Sequence, residues 1–577
     1  MTNGLTPDIQ TKVDNWLEGA YSEESKTQVR SWIREEAWAT LTDAFYRDLE
    51  FGTGGLRGVM GAGTNRMNRY TVARATQGLS NYLNRVVDGD VSVVVTHDNR
   101  NRAREFAQLV ADVFSANGIR VWLFEGMRPT PELSYAIREL GCQSGVMLTA
   151  SHNPKEYSGY KAYWADGGQV IPPHDHEIIA EVKAISGPDE IRVEPDTSRI
   201  KPIGSDMDKA FIDTVLTEQV RPEAVGMAGD LGIVYSPIHG TGVELIPAAL
   251  KAAGFRNVSR VESQCSPDGN FPTVVYPNPE EEEALTLAIE QARVTGAGLV
   301  MATDPDADRV GVVVRNADGD LELLNGNQTA ALLFDYVLAG KQEKGDLKPE
   351  DYVVKTIVTS SLLDRLADRY GVECFNVLTG FKYIGELMTR LEGSRRFLVG
   401  GEESYGYLIG EHVRDKDAVV SCLLIAEMAA WYHSQGSSLY GRLQEIHREF
   451  GLYRERLVSI KKAGKEGGEE IAALMRSLRE TPPLELGGSR IVAIRDYQSR
   501  VEKQVVSGNE RSIDLPKSNV LQFETDRGDV VSVRPSGTEP KIKFYVSVHS
   551  KPDEGDSDDL RDRLERRIDS ILDDLNG

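Results

Sequence analysis

The period of the apolar positions changes several times along the chain. From about Pro7 to Glu50, apolar and charged residues recur at helical spacing, Trp16, Trp32 and Trp38 among them, which predicts an N-terminal helical segment. A glycine-rich loop, Phe51 to Gly63, carries Arg57 and leads into a helix-like stretch ending at Val87. Short buried-strand runs then alternate with helical ones: strand Val91–Thr96, helix Arg102–Asn117, strand Ile119–Phe124, helix Glu132–Leu140 and strand Ser144–Thr149. The alternation recurs with strand Leu231–Ser236, helix Gly242–Ala253 and strand Ala297–Thr303, and again with strand Tyr352–Val358, helix Ser361–Tyr370 and strand Arg396–Val399. Such alternation predicts α/β layers with mixed, mostly parallel sheets, whose ligands gather beyond the carboxyl ends of the strands.

The tail reads differently. Short β runs (Arg456–Ile460, Ile491–Ile494, Asp529–Arg534, Lys541–Val548) precede a charged closing helix near Asp558–Asp574, the pattern of an α+β domain. The expected organisation is therefore three similar α/β units around a central cleft and a C-terminal α+β domain. Their expected bounds are 1–205, 206–325, 326–450 and 451–577, with helices Asp206–Leu216 and Asn327–Ala339 opening the second and third units. A chain of 577 residues is too long for a single core, in keeping with that division.

Composition narrows the function. The chain is 40% hydrophobic and 27% charged, ordinary for a globular protein, and its net charge of −23 argues against a nucleic-acid partner. An anionic substrate would have to meet concentrated local positive charge on such a chain. Cys142, Cys265, Cys374 and Cys422 are scattered without CxxC pairing, which fits free thiols in a reducing compartment. No run approaches the ~20 apolar residues of a membrane span, and the first residues lack the basic and apolar regions of a secretory signal. A cytoplasmic protein without a membrane partner is expected.

Each strand of interest ends in a polar loop. Ser144–Thr149 delivers Thr149-Ala150-Ser151-His152-Asn153-Pro154, a hydroxyl nucleophile beside an imidazole. Ala297–Thr303 empties into Asp304-Pro305-Asp306-Ala307-Asp308-Arg309, whose alternating carboxylates make an oxygen-only set suited to Mg²⁺. That loop lacks the glycine and distal glutamate of an EF-hand, and by itself it is similar to the nucleophile loop of haloacid-dehalogenase phosphatases. Arg396–Val399 leads into Gly400-Gly401-Glu402-Glu403-Ser404-Tyr405-Gly406, with carboxylates able to hold sugar hydroxyls or simply to face water. Arg57 among glycines is suited to clamp a phosphate, and Arg534-Pro535-Ser536-Gly537-Thr538 has the makings of a phosphate nest.

In this order and spacing, TASHNP, DPDADR, GEESYG and RPSGTEPK resemble the α-D-phosphohexomutase family over nearly the whole chain, and within it the phosphoglucomutases. The resemblance implies that Ser151 carries an exchangeable phosphoryl group with His152 beside it. It implies that Asp304, Asp306 and Asp308, with an oxygen on Ser151, bind Mg²⁺. Arg57 and Lys161 (in SGYKAYW) correspond to active-site cations, and His152 and Lys161 are the residues available for acid/base work. Arg309, Thr379, Gly380, Glu402, Ser404 and Lys416 correspond to substrate contacts, with Lys416 one residue farther from Glu402 than in the best-known animal enzymes. Arg534, Ser536, Gly537, Thr538 and Lys543 correspond to a mobile phosphate-binding loop, Lys543 standing where some members have arginine.

The activity implied is interconversion of α-D-glucose 1-phosphate and glucose 6-phosphate. Phospho-Ser151 would supply one phosphoryl group and recover the other, with glucose 1,6-bisphosphate as intermediate and activator. The C-terminal domain would close as a lid. GEESYG is similar to the glucose-directed form of its loop, whereas GTGGLRGVMGAG and SPIHGTG resemble a branch that includes phosphopentomutases. Pentose and mannose phosphates are thus alternative substrates. A metal-dependent sugar phosphatase and a silent sugar-phosphate sensor are the readings from other classes. The partners expected are small-molecule sugar phosphates, acted on by a monomer or weak dimer.

Overall fold

The computed structural model describes residues 4–52, 54–228, 231–462, 464–536, 541–552, 554 and 556–576. The N-terminal stretch resolves into three helices, Pro7–Glu18, Glu23–Arg34 and Trp38–Phe45, which close on Val13, Trp16, Val29 and Phe45. Four sheets follow.

The first sheet runs in the order Gly55–Val59, Tyr157–Trp164, Ser144–Leu148, Ser92–His97, Arg120–Phe124, Ile200–Ile203. Its last four strands are parallel and the first two antiparallel. Helices Arg69–Val86, Ala103–Ala116 and His174–Ala184 cover one face, and Thr130–Glu139 and Ser205–Leu216 the other. The second sheet is ordered Leu321–Leu324, Val310–Arg315, Leu299–Thr303, Ile233–Ser236, Val258–Arg260, and the third Glu373–Val377, Asp351–Thr356, Arg396–Gly401, Tyr407–Ile409. Both are mixed in the same way. The fourth is wholly antiparallel along its path, from Tyr453–Lys461 through Lys541–His549 to Glu510–Ser512, with helices Gly464–Glu480 and Asp558–Asn576 packed on it.

One feature is common to the three α/β sheets. A buried strand of the parallel set ends in a polar loop, and the chain returns as an antiparallel neighbour: Ser144–Leu148 to Tyr157–Trp164, Leu299–Thr303 to Val310–Arg315, and Arg396–Gly401 to Tyr407–Ile409. Each of these turns holds a non-glycine residue in the left-handed region: Ser151 (φ +52°), Ala307 (φ +48°) and Tyr405 (φ +66°). Such conformations cost about 1 kcal/mol or more and persist where the surroundings over-determine them.

The glycine-rich segment departs from the sequence expectation. Its middle, Gly55–Val59, is an edge strand and not a loop. Gly55 sits at φ +146°, and a Cβ there would lie 1.8 Å from the Tyr160 carbonyl oxygen, so glycine is what permits the pairing. The returning strand Tyr157–Trp164 also escaped the sequence reading, since glycine and lysine are poor strand formers. A Cβ on its Gly159 would lie 2.3 Å from the Thr149 carbonyl oxygen.

The apolar core runs without a break through the three α/β units, from Val94 and Met147 through Leu299 and Met301 to Val354 and Leu423. Helix Ala418–Ser434, buried on every side for most of its length, lies at its centre and packs on helix Gly242–Ala253 of the second unit. The C-terminal domain has its own core and meets the third unit through a small apolar seam that includes Ile357, Val358, Leu378, Tyr497, Val520 and Tyr545. Among the described residues no helix is long and apolar enough to cross a membrane, and the four cysteines are free.

Candidate active site

The returning strands bring the polar loops together beside a cleft of about 1040 Å³, which they line with His152, Arg309 and Glu402. Ser151 is 3% exposed, and its Oγ donates to Asp304 Oδ2 at 3.0 Å while lying 3.2 Å from His152 Nδ1. Asp304, Asp306 and Asp308 are buried, with one oxygen from each within 4.8 Å of the others. Asp304 Oδ1 accepts from the backbone N–H groups of Asp308 and Arg309 at 3.1 Å, which curls the loop. Thr130, at the start of its helix in the first unit, donates its backbone N–H to the Asp306 carbonyl and its hydroxyl to Asp306 Oδ2.

Cations surround the triad. Lys161 Nζ lies 2.7 Å from Asp306 Oδ2 and 3.2 Å from Asp308 Oδ2; Lys416 Nζ lies 3.2 Å from Asp308 Oδ2 and 3.0 Å from Asp415 Oδ1. Arg57 sits opposite Gly159 and Lys161 opposite Gly55 in the edge pairing, so both side chains share one face of the ribbon. The Arg57 side chain opens onto the cleft. Arg309 pairs with Glu280 at 2.5 Å.

Burial sets the charge states. The His152 imidazole is held well below its ordinary pKa by burial, and Arg309 and Arg57 push the same way, so the ring is neutral. Asp304 is driven well above the carboxylate range by burial and by its neighbours Asp306 and Asp308. Burial also opposes ionisation of Asp308, but Lys416, Lys161 and Arg309 outweigh it and keep that carboxylate charged. Lys161 likewise resists its burial because Asp306 and Asp308 face it, and it stays an ammonium.

The donor set fits Mg²⁺. It offers only oxygen, in keeping with a hard cation. Asp306 Oδ1 and Asp308 Oδ1 are buried without a hydrogen-bond partner, which leaves acceptor capacity unused on two of the three carboxylates. Three crowded carboxylates, one forced toward protonation, are the arrangement a divalent cation would relieve.

The residues expected at the substrate form the walls. Glu402 is buried, accepts the Gly380 N–H at 3.0 Å, and closes its turn through a backbone bond to Gly406. Gly406 leaves room for the Lys416 stem, since a Cβ there would lie 2.0 Å from Lys416 Cδ. Thr379, Gly380, Glu402, Ser404 and Lys416 all line the cleft, together with His152, Arg57 and Arg309. Thr379 Oγ1 is buried without a hydrogen-bond partner. Across the cleft, Arg534 and Lys543 stand side by side on paired strands of the C-terminal domain. Ser536 closes their hairpin by donating its backbone N–H to the Lys541 carbonyl. Gly537 and Thr538 lie outside the described residues. Among the described residues the lining holds ten Arg and Lys side chains against six Asp and Glu, so an acidic chain presents a cationic cleft.

Several residues that shape the site had no place in the sequence reading: Asp98, Arg100, Thr130, Glu280 and Asp415. The signal available for the first three was position alone. Asp98 and Arg100 follow the parallel strand Ser92–His97, and Thr130 opens the helix after Arg120–Phe124. Those are the carboxyl ends of strands, where sites collect.

The chain matches family models in four consecutive parts. These are described as phosphoglucomutase/phosphomannomutase alpha/beta/alpha domains I (residues 48–188), II (209–319) and III (325–449), and the C-terminal domain (485–567). A phosphoglucomutase of Staphylococcus haemolyticus strain JCSC1435 is 38% identical over 536 residues, which cover 93% of this chain and 96% of the relative. One from Staphylococcus aureus strain MRSA252 is 36% identical over 543 residues, covering 94% and 96%. The fold is shared with pp63/parafusin, a Paramecium phosphoglucomutase in its open form (TM-score 0.67, 17% identity, 92% of this chain and 95% of that one). It is shared as well with a phosphoglucomutase/phosphomannomutase family protein of Burkholderia thailandensis (TM-score 0.63, 18% identity, 91% and 97%).

Proposed function

Because the chain belongs to the phosphoglucomutase/phosphomannomutase family and is thereby a mutase of the isomerase class, we propose that it interconverts α-D-glucose 1-phosphate and glucose 6-phosphate through phospho-Ser151. The observation that carries the reading is Ser151 Oγ against the buried aspartate triad, next to His152 and Arg309 of a cationic cleft. The choice of glucose is supported by the two phosphoglucomutase relatives, alike over more than nine-tenths of the chain.

In this reading a sugar monophosphate enters with its phosphate toward Arg534 and Lys543 and its free hydroxyl toward Ser151. Glu402 and Ser404 hold the ring hydroxyls. The bond from phosphorus to Ser151 Oγ breaks as the bond to the sugar oxygen forms, and the hydroxyl proton leaves to a base. His152, neutral and beside Ser151 Oγ, has the lone pair to take it, whereas Lys161 stays charged and neutralises the transferring group. Asp304, Asp306 and Asp308, with the Ser151 oxygen, would hold Mg²⁺, which when bound supplies charge neutralisation at the phosphoryl group. The glucose 1,6-bisphosphate so formed turns, and its other phosphate returns to Ser151.

Radiolabelled glucose 1,6-bisphosphate tests this directly. Labelled Ser151 and turnover of glucose 1-phosphate are expected, with Ser151→Ala losing both by on the order of 10³-fold or more. Full activity in Ser151→Ala with release of inorganic phosphate would establish a phosphatase instead. Faster conversion of ribose 1-phosphate than of glucose 1-phosphate would move the substrate assignment to pentoses.

A further inference from the structure

Arg100 has no route to a substrate, yet it is the side chain most fully committed to the nucleophile loop. Its side chain is 0% exposed. Nη1 donates to the carbonyls of Pro154 (2.8 Å) and Tyr157 (3.0 Å), and Nη2 to those of Ser151 and Asn153. Nε faces Asp98 Oδ2 at 3.2 Å. The same Asp98 oxygen accepts from Thr149 Oγ1 at 2.6 Å, and Thr149 Oγ1 in turn accepts the Ser151 backbone N–H at 2.8 Å. Ser151 is therefore gripped at its carbonyl by Arg100 and at its N–H through the Thr149 to Asp98 chain. This residue is also the one in the unfavourable left-handed conformation (φ +52°).

The grip reaches across the unit boundary. The guanidinium lies over the ring of Phe271, 5.2 Å from its centroid, and Asn99 Nδ2 donates to the Asp268 carbonyl at 3.0 Å. Both partners belong to the second α/β unit, which carries the aspartate triad. A Cβ on the neighbouring Gly269 would come within 2.4 Å of the Asn101 backbone nitrogen, so the two segments are in direct backbone contact. The loop that orients Ser151 is thus registered against the same unit that holds its metal ligands.

From this geometry we propose that Arg100 is a positioning residue for phosphoryl transfer. It holds the Ser151 loop in its strained conformation and sets Ser151 Oγ against Asp304, resting on the reading of Ser151 as phosphoryl carrier. The function belongs to the fork and not to the charge. A planar guanidinium meets four backbone carbonyls at once, whereas a lysine at the same place has a single ammonium and no second arm.

The test compares full-length wild type with Arg100→Lys by rapid-quench measurement of Ser151 labelling from glucose 1,6-bisphosphate. Labelling is expected to slow by about 100-fold, the scale of a 1 Å misplacement. The KM for glucose 1-phosphate should move by less than about threefold, because the walls of the cleft lose no substrate contact. Labelling within about threefold of wild type in the folded variant overturns the proposal, and so does a loss matched by an equal rise in KM. Should Arg100→Lys fail to accumulate as folded protein, Thr149→Val carries the comparison. It removes the hydroxyl that links Ser151 N–H to Asp98, and about tenfold slower labelling supports the clamp where an unchanged rate sinks it. If wild type itself takes no label on Ser151, it is the phosphoryl-carrier reading that fails.

Discussion

At the scale of single residues, Glu402 offers the most direct check of the electrostatics. An ordinary glutamate titrates near 4.5, but Glu402 is pushed up to about 7; burial raises it, Lys416 works against that, and Glu403 adds to it. Between those two values the folded protein keeps a proton that the unfolded chain has released. This contribution to stability is therefore greatest below about 4.5 and is lost as pH rises toward about 7, on the order of 1–3 kcal/mol in all. Glu402→Gln keeps an acceptor for the Gly380 N–H but removes the titration. Its melting temperature relative to wild type is expected to climb across that window. A constant difference from acid to neutral pH would mean that Glu402 titrates alike in the folded and unfolded chain. The motif residues were legible in the sequence because each motif bears chemistry on its face. Arg100 was not, because nothing in linear order tells that four carbonyls from fifty residues on close around one guanidinium.

At the scale of elements, the strands buried on both faces were readable as continuous apolar runs, Ser92–His97 and Leu299–Thr303 among them. The edge strand carrying Arg57 was not, since its glycines signal turns when the partner strand is unseen. Its dependence on Gly55 is sharp, because a methyl group would occupy the place of the Tyr160 carbonyl. Gly55→Ala is expected to lower stability by about 1–3 kcal/mol in urea unfolding and to pull Arg57 out of register with Lys161. Wild-type stability and activity in that variant would show that the edge pairing is dispensable. The polar hairpin turns were found by their residues, whereas the strands that return from them were missed. A short run such as Tyr407–Ile409 carries too little periodicity to announce itself.

At the scale of the whole molecule, the C-terminal domain brings Arg534 and Lys543 to the cleft but touches the third unit through a small seam. Gln522 Nε2 donates to the Ile357 carbonyl at 2.8 Å, and Val520 is 1% exposed within the apolar patch. Val520→Lys places a charge in that patch. Small-angle scattering is expected to report a larger radius of gyration, and the KM for glucose 1-phosphate to rise severalfold, with labelling of Ser151 by excess bisphosphate little changed. An unaltered scattering curve and KM would mean that the seam does not hold the domain in place.

The unbroken core beneath the three loops has a further consequence, for the cell's quality control. Helix Ala418–Ser434 of the third unit packs into a core shared by all three units, so the three are expected to unfold together. A chain that loses its serine loop to local unfolding loses the triad and the sugar loop in the same event. Damaged copies are then expected to present to proteases as wholly unfolded over these units.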